Sequence, residues 1–177
     1  TVMKFDSKDL EGSSPEMRGM AKMLGKELAV VRVDPLGRVA EVKSGDANAF
    51  ELEPPFIGTL PAGGLKQGAA WERAFKITLA PPLGTGEKHD AVQRFACEAV
   101  KDGIATVSVV TELKARPKAA ADLIPLWQML PKGTLEWDLK AGRLLSATLK
   151  VDEEAKDHDG PGSHARFSSV KTIKLLP

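Results

Sequence analysis

The stretch Ala91–Leu113, AVQRFACEAVKDGIATVSVVTEL, has the pattern of two strands joined by a tight turn. Phe95, Cys97 and Ala99 share one face of the first strand, and Ile104–Leu113 is rich in β-branched residues, which strands favour. The linking residues, Lys-Asp-Gly, are a compact hairpin signal. This stretch therefore predicts an antiparallel hairpin.

Further strands and two helices are predicted on either side of this hairpin. Alternation of apolar and polar residues predicts strands at about 2–5, 29–33, 39–42, 71–79, 135–139, 145–151 and 167–175. A helix is expected at about 15–24, with Ser14 as its N-cap and Pro15 at its first position. A second helical region is expected at about 117–130, where Pro125 should break or kink it.

Two other stretches resemble each other. Val30–Gly45, VVRVDPLGRVAEVKSG, and Leu135–Val151, LEWDLKAGRLLSATLKV, each contain a strand, a turn ending in Gly-Arg and a second strand. The similar segments MAKMLGK and LWQMLPK lie just upstream of them. An internal helix–hairpin repeat, covering about 1–45 and 104–152, is the simplest account. Chance similarity between two ordinary hairpins is the alternative.

The expected fold class is α+β, in a single domain that spans residues 1–177. Alternating strands indicate a sheet with one covered face and one solvated face, and short connections favour antiparallel pairing. Helices are the natural cover for such a sheet. We therefore expect a large curved antiparallel sheet, with two helices packed on its concave face and an internal helix–hairpin repeat.

The composition is that of an ordinary globular domain. Of the 177 residues, 42% are hydrophobic and 28% are charged, and the net charge is +1. No block of Lys and Arg marks a nucleic-acid or anionic-membrane surface, so nucleic acid is not an expected partner. No apolar run reaches the ~20 residues of a transmembrane helix. The one cysteine, Cys97, is expected to be a buried, inert thiol.

A family resemblance rests on three motifs: LPAGGLKQGAAWE (Leu60–Glu72), VKDGIATVSV (Val100–Val109) and GTLEWDLKAGRLLSATLKV (Gly133–Val151). They resemble uncharacterised secreted or lipoprotein-like bacterial domains of the kind abundant in planctomycetes. In layout these are similar to half-barrel lipoprotein carriers of the LolA/LolB type, which hold an acyl chain between a curved sheet and its helices. The resemblance implies an extracytoplasmic address, periplasmic or secreted, and an apolar ligand. The start at Thr1 is interpreted as that of an excerpt, with a lipid anchor in the full-length protein as one alternative.

The two predicted helices carry apolar stripes rich in Met and Leu, which suit adaptable lipid or partner grooves. Plain core packing is the alternative. The predicted ligand-binding residues are Met17, Met20, Met23 and Leu24 on the first helix, and Leu123, Ile124, Trp127 and Leu130 on the second.

Polar residues cluster in Asp152–His164, DEEAKDHDGPGSH, and in Glu87–Asp90, EKHD, which together hold all three histidines. Neither an EF-hand spacing nor HExxH is present, so a solvated hairpin tip is expected instead of a metal site. Ser163 and His164 are neighbours that would point to opposite faces of a strand, which does not suggest a nucleophile–base pair. No catalytic residue, metal or cofactor is predicted.

These patterns favour a non-enzymatic extracytoplasmic domain that binds a lipid, another apolar ligand or a lipoprotein. The alternative is a structural or protein-interaction module of an envelope protein, with a closed core and no ligand. An enzyme that uses the loop acids and histidines is the third hypothesis. A filled or a hollow space between helices and sheet would discriminate between the first two.

Overall fold

The computed structural model describes residues 11, 30–34, 36, 38–45 and 59–175. Strands hold 58% of these residues, and helix is confined within them to one ten-residue segment. The expected α+β class with two helices on the sheet is therefore wrong, because the described chain is mostly β. The helix expected at about 15–24 and the strand expected at about 2–5 lie outside the described residues.

The described elements are eight strands and one two-part helical segment. Their bounds are β1 (Val30–Val33), β2 (Val39–Ser44), β3 (Ala70–Leu79), β4 (Glu87–Lys101), β5 (Ile104–Leu113), α1 (Ala120–Leu123), a 3-10 helix (Ile124–Met129), β6 (Lys132–Asp138), β7 (Arg143–Lys156) and β8 (His164–Lys174).

Strands β3 to β8 form one six-stranded sheet in which each strand pairs antiparallel with the next in sequence. The predicted β4–β5 hairpin is confirmed: Asp102 and Gly103 have φ angles of 52° and 81°. Both therefore adopt the left-handed conformation of a two-residue hairpin turn whose twist matches the strands. This hairpin is the centre from which the rest of the meander extends.

The six-stranded sheet is strongly curved around the helical segment. Its edge strands β3 and β8 are five strand spacings apart, about 24 Å in a flat sheet. The six-residue 3-10 helix is only about 12 Å long, yet it contacts β3, β7 and β8. A sheet can bring both of its edges to one such short helix only by curling around it.

Gly133 in β6 permits one of the close backbone approaches in this curved sheet. It lies in the row Val109–Gly133–Leu149, directly opposite Leu149 of β7. A Cβ atom at Gly133 would overlap the carbonyl group of Thr148 and approach Leu149 Cα to 2.9 Å. Because these are backbone atoms, they cannot move aside as a flexible side chain would.

The inner face of the sheet carries two clusters of buried side chains. The larger cluster consists of Phe95, Cys97, Ala105, Val107, Val109, Leu135, Trp137, Ala147 and Leu149. Trp71 packs against it, stacked on Phe95 with ring centroids 5.3 Å apart, and donates from Nε1 to the Thr59 carbonyl at 2.5 Å. The smaller cluster consists of Ile77, Leu79, Ala91, Leu113 and Leu126.

The helical segment changes type at Pro125. α1 ends at Leu123, and Pro125 stands in the first turn of the 3-10 helix, where a missing N–H leaves no helical hydrogen bond unmade. Leu126 and Trp127 of this helix are 0% and 3% exposed, so they face the sheet. In the part of the chain that the structure describes, no helix is long and apolar enough to cross a membrane.

The expected helix–hairpin repeat stays a prediction, because the helix of its first copy, expected at about 15–24, lies outside the described residues. β1 and β2 form a hairpin of their own in a separate two-stranded sheet. β6 and β7 form the matching hairpin inside the six-stranded sheet, with neighbours on both sides. The two hairpins of similar sequence therefore lie in different sheets and have different strand neighbours.

Candidate functional site

A gap in the sheet lies beyond the first residue of β6, because the strands on either side, β5 and β7, extend further than β6 does. Lys132, the first residue of β6, pairs with Val110 of β5 and with Lys150 of β7. β5 continues to Leu113 and β7 to Lys156 with no strand between them. Pro131 has no N–H to donate and accepts from the Thr111 N–H at 3.1 Å, and the chain before it comes from the helical segment, outside the sheet.

This gap is a cavity of about 370 Å³, which we call the notch. Its apolar walls are Val110, Leu113 and Leu130, and the buried Thr111 reaches it from the inner face. Charged side chains complete the lining: Glu112, Arg116, Lys132 and Glu153. Because Val110 and Glu112 face outward while Thr111 and Leu113 face inward, the notch lies between the two faces of the sheet.

The charges on the notch rim are unequal. Glu112 is engaged by Arg94, with which it forms an ion pair. Arg116 and Lys132 have no acidic partner in the described part of the chain, and Glu153 is a half-buried carboxylate that is likewise unpaired there. The rim therefore offers two cations against one uncommitted carboxylate, which favours a ligand group that carries a negative charge.

A row of polar side chains interrupts the inner face between the two buried clusters. Arg73, Gln93 and Thr111 lie opposite one another on β3, β4 and β5. Gln93 and Thr111 are 2% and 5% exposed, and Gln93 Nε2 donates to Thr111 Oγ1 at 3.4 Å. We call these three residues the polar row, and through Thr111 it reaches the notch.

The polar row contains a buried acceptor, Gln93 Oε1, that has no hydrogen-bond partner in the described part of the chain. Such an atom costs roughly 1–3 kcal/mol when nothing replaces its lost water, and each case calls for a specific explanation. The guanidinium of Arg73, at the end of the row, lies 4.9 Å from the centre of the Phe75 ring. Burial lowers the pKa of Arg73 from its ordinary value, although an arginine remains charged.

A larger and more open concavity of about 650 Å³ lies beside the β3–β4 turn. It is lined by apolar residues such as Leu83 and Pro125, and by Arg116, which it shares with the notch. Glu87 at its edge is occupied, because its carboxylate accepts from the N–H and the hydroxyl of Thr85 at 2.7 and 2.8 Å. Bonds from the backbone N–H of Glu87 itself, and then from Thr85, lower the pKa of this carboxyl.

The predicted ligand-binding residues have different positions in the structure. Leu123, Ile124 and Leu130 are half-buried, and Leu130 lines the notch. Trp127 is buried, and its Nε1 has no hydrogen-bond partner. The other four predicted residues, Met17, Met20, Met23 and Leu24, lie outside the described residues.

Sequence reasoning did not find the notch or the polar row. The notch residues come from β5, the following linker, the residue just after the helical segment, β6 and β7, so no local motif contains them. The polar row left a weak signal in the sequence. Arg73 and Gln93 occupy inward positions of strands whose neighbouring inward residues are apolar, such as Phe75 and Phe95.

About half of the polar segment Asp152–His164 is strand, because β7 continues to Lys156 and β8 begins at His164, and its turn is Asp157–Ser163. His164 Nε2 lies 3.2 Å from Glu154, and contacts with Lys156 and then with His164 lower the pKa of that carboxyl. Among the described residues, no group of three or more His, Cys, Asp or Glu side chains is placed to hold a metal ion.

Cys97 is 1% exposed and faces the larger buried cluster. Burial, and then the negative charge of Glu98, raise the pKa of its thiol. A thiol that stays protonated in an apolar cluster is a poor nucleophile, so Cys97 adds nothing to the candidate site.

Comparison with known proteins adds no assignment. No family model, no curated protein and no solved structure matches this chain. The resemblance to secreted lipoprotein-like domains therefore stays a prediction.

Proposed function

We propose that this protein is a non-enzymatic binding domain that holds an apolar ligand with an anionic end, such as a fatty acyl carboxylate, in the notch. The observation that carries the proposal is the composition of the notch. Its walls, Leu113 and Leu130 among them, are apolar, and its rim holds two cations, Arg116 and Lys132, that are unpaired among the described residues.

The notch has the size and the chemistry of a small-molecule site. Its volume of about 370 Å³ falls within the roughly 300–1,000 Å³ of ligand pockets, which combine apolar walls with a few polar groups. Each methylene that the ligand buries contributes about 0.8 kcal/mol. The carboxylate would lie at the rim, where Arg116 can donate two parallel hydrogen bonds.

The polar row gives the inner wall a hydrogen-bonding function. Thr111 is the one member of the row that both lines the notch and accepts from Gln93. Its hydroxyl can donate to a ligand oxygen while it accepts from the carboxamide. A ligand that reaches Thr111 would therefore be oriented by a buried polar pair as well as by the rim cations.

The extracytoplasmic address belongs to the same proposal and is supported by the sequence resemblance of Leu60–Glu72 and Gly133–Val151. Fractionation of cells that produce the full-length protein tests it. Recovery in the cytoplasmic fraction alone would refute the address and leave the ligand proposal intact.

Titration with a dansylated fatty acid, whose emission rises in apolar surroundings, tests ligand binding. Arg116→Gln should weaken binding about tenfold or more, because a charge-assisted hydrogen bond contributes roughly 1.5–3 kcal/mol. Arg143→Gln, at another exposed arginine, is the matched control and should bind like the wild type. Leu130→Trp should block binding by filling the notch.

The closed-core interaction module remains the second candidate function. Leu126 and Trp127, 0% and 3% exposed, fill the space between the 3-10 helix and the sheet, and this filling favours it. A wild-type protein that binds no acyl probe, and whose Leu130→Trp variant is equally inactive and stable, would support this alternative over the ligand proposal.

A further inference from the structure

The outer face of the sheet carries two lysines directly opposite each other. Lys132 of β6 pairs with Lys150 of β7, in a row that continues to Val110 on one side and to Val170 on the other. Side chains opposite each other on neighbouring strands lie about 5 Å apart at Cβ, and like charges there are destabilising. Both lysines are exposed and have no acidic partner among the described residues.

None of the carboxylates that the structure describes forms an ion pair with Lys132, Lys150 or Lys174. Asp152 pairs with Arg166, Glu154 with Lys156 and His164, and Glu112 with Arg94. Glu136 accepts from Ser146, and Asp138 accepts from two N–H groups of the β6–β7 turn. The outward-facing Lys174 is also unpaired among the described residues, so three lysines of this face have no acidic partner there, while Glu136 and Asp138 keep their negative charge.

The next row on the same face consists of hydroxyl side chains, Ser108, Thr134, Thr148 and Thr172, one from each of β5 to β8. The two rows together, which we call the lysine–threonine face, contain exposed apolar side chains as well. Val110 is 40% exposed and Val170 is 64% exposed, on either side of the lysine pair. The eight residues include no aromatic ring on which a sugar or a base would stack.

We propose that the lysine–threonine face binds the surface of an anionic lipid membrane. Lysines attract anionic head groups, the threonine hydroxyls can donate to phosphate and ester oxygens, and the two valines can enter the boundary between head groups and acyl chains. The Ser108 hydroxyl is already engaged, because it donates to Glu98 at 2.6 Å. The like-charge pair, unfavourable in the free protein, becomes favourable against such a surface. This function goes beyond the notch, and it does not require that the notch hold a ligand.

The linear sequence hides this surface. Its lysines come from β6, β7 and β8, so no run of basic residues marks it, and the net charge of the chain is only +1. Strand pairing alone brings Lys132 and Lys150 together. A surface of this kind is recognised from cross-strand register and from the partners of each carboxylate.

Cosedimentation with vesicles tests the proposal. The wild type should bind vesicles of equimolar phosphatidylcholine and phosphatidylglycerol, should bind phosphatidylcholine vesicles much less, and should be released by about 1 M salt, where the Debye length falls to about 3 Å. Lys150→Glu changes the charge by two units and should weaken binding about thirtyfold, since each charge near such a surface contributes about fivefold.

Lys150→Glu also separates a binding role from a structural one. It converts the like-charge pair into a Lys–Glu pair, so its melting temperature should equal or exceed that of the wild type. Lys140→Glu, in the β6–β7 turn, has the same change in charge and should keep most of the vesicle binding. Fatty-acid binding by Lys150→Glu, measured without vesicles, tests the notch proposal independently of the membrane proposal.

Three outcomes would overturn the proposal. The first is equal binding of both vesicle types by the wild type, and the second is equal loss in Lys150→Glu and Lys140→Glu. The third is a wild type that ignores vesicles but is retained on a sulfated polysaccharide column, which would assign the face to an anionic glycan.

Discussion

Removal of the Thr111 hydroxyl alone should cost more stability than removal of the whole Gln93–Thr111 pair. In the wild type Gln93 already has one unpartnered buried atom, Oε1, while Nε2 donates to Thr111. Thr111→Val removes that acceptor and leaves the entire buried carboxamide without a partner. A second unsatisfied buried group should lower the free energy of unfolding by about 1–3 kcal/mol.

The double variant Gln93→Leu/Thr111→Val should have a free energy of unfolding close to that of the wild type, or higher. It removes both members of the pair together with the unpartnered Oε1, and replacing both partners by apolar groups of similar shape is often neutral. The stability of Gln93→Leu alone should lie between those of Thr111→Val and the double variant, because this substitution leaves the Thr111 hydroxyl unpaired. The singles should therefore sum to a larger loss than the double shows, with a coupling energy of about 1 kcal/mol or more.

Urea denaturation, with the slope m compared across all four proteins, measures these free energies. Thr148→Val is the matched control on the outer face, and it should change the free energy of unfolding by no more than about 0.5 kcal/mol. A double variant whose loss equals the sum of the single losses would refute the reasoning. It would mean that Gln93 and Thr111 are each stabilised by groups other than one another.

Three further predictions concern other parts of the fold. Gly133→Ala should cost about 1–3 kcal/mol in urea denaturation, because the added methyl group meets the Thr148 backbone. Trp127→Ala should cost about 3–5 kcal/mol if the 3-10 helix packs on core, and Trp127→Phe, which removes an unpartnered N–H, should cost clearly less in the same assay. Glu87 has a folded pKa below its unfolded value, so its contribution to stability is present above the unfolded pKa and is lost as pH falls through the folded pKa. Thr85→Ala should raise the folded pKa of Glu87 and shift that loss to higher pH, as carboxyl-carbon NMR titration would show.

The strands were predictable because alternation is a local pattern. The prediction gave Ile104–Leu113 its observed bounds, since the β-branched run and the Asp-Gly turn define both ends. The beginning of β4 was missed, because Glu87–Asp90 is polar and resembles a loop. This segment is a strand because it pairs with β3, and the 3.2 Å ion pair between Lys76 and Asp90 is one of the contacts between them. Such pairing cannot be recognised from the sequence of one segment alone.

The second helix was overestimated for a related reason. Its apolar stripe suggested a helix over about 117–130, but the observed segment is Ala120–Met129, and most of it is 3-10 helix. Pro125 limits regular α-helix, and the strongly curved sheet leaves little room for a longer element. Tertiary packing therefore set a length that periodicity alone did not predict.

The candidate site could not be predicted because strand register creates it. The notch depends on the residue at which β6 begins relative to β5 and β7, and the lysine–threonine face depends on which side chains become neighbours across strands. Neither quantity is a property of any one segment. Of the four predicted ligand residues that the structure describes, only Leu130 lines the notch, and its prediction rested on the periodicity of an apolar stripe.

The notch and the lysine–threonine face meet at Lys132, so the two proposed activities should be coupled. As the first residue of β6, Lys132 is part of the notch lining and also stands opposite Lys150. A carboxylate bound at the rim would neutralise part of the positive charge that attracts an anionic membrane. A fatty acid should therefore weaken vesicle binding, and vesicles should weaken fatty-acid binding by the same factor, because coupling between two sites is reciprocal. The methyl ester of the same fatty acid fills the notch without a charge and should leave vesicle binding unchanged. If acid and ester reduced vesicle binding equally, the coupling would come from occupancy of the notch, and the charge argument at Lys132 would be wrong.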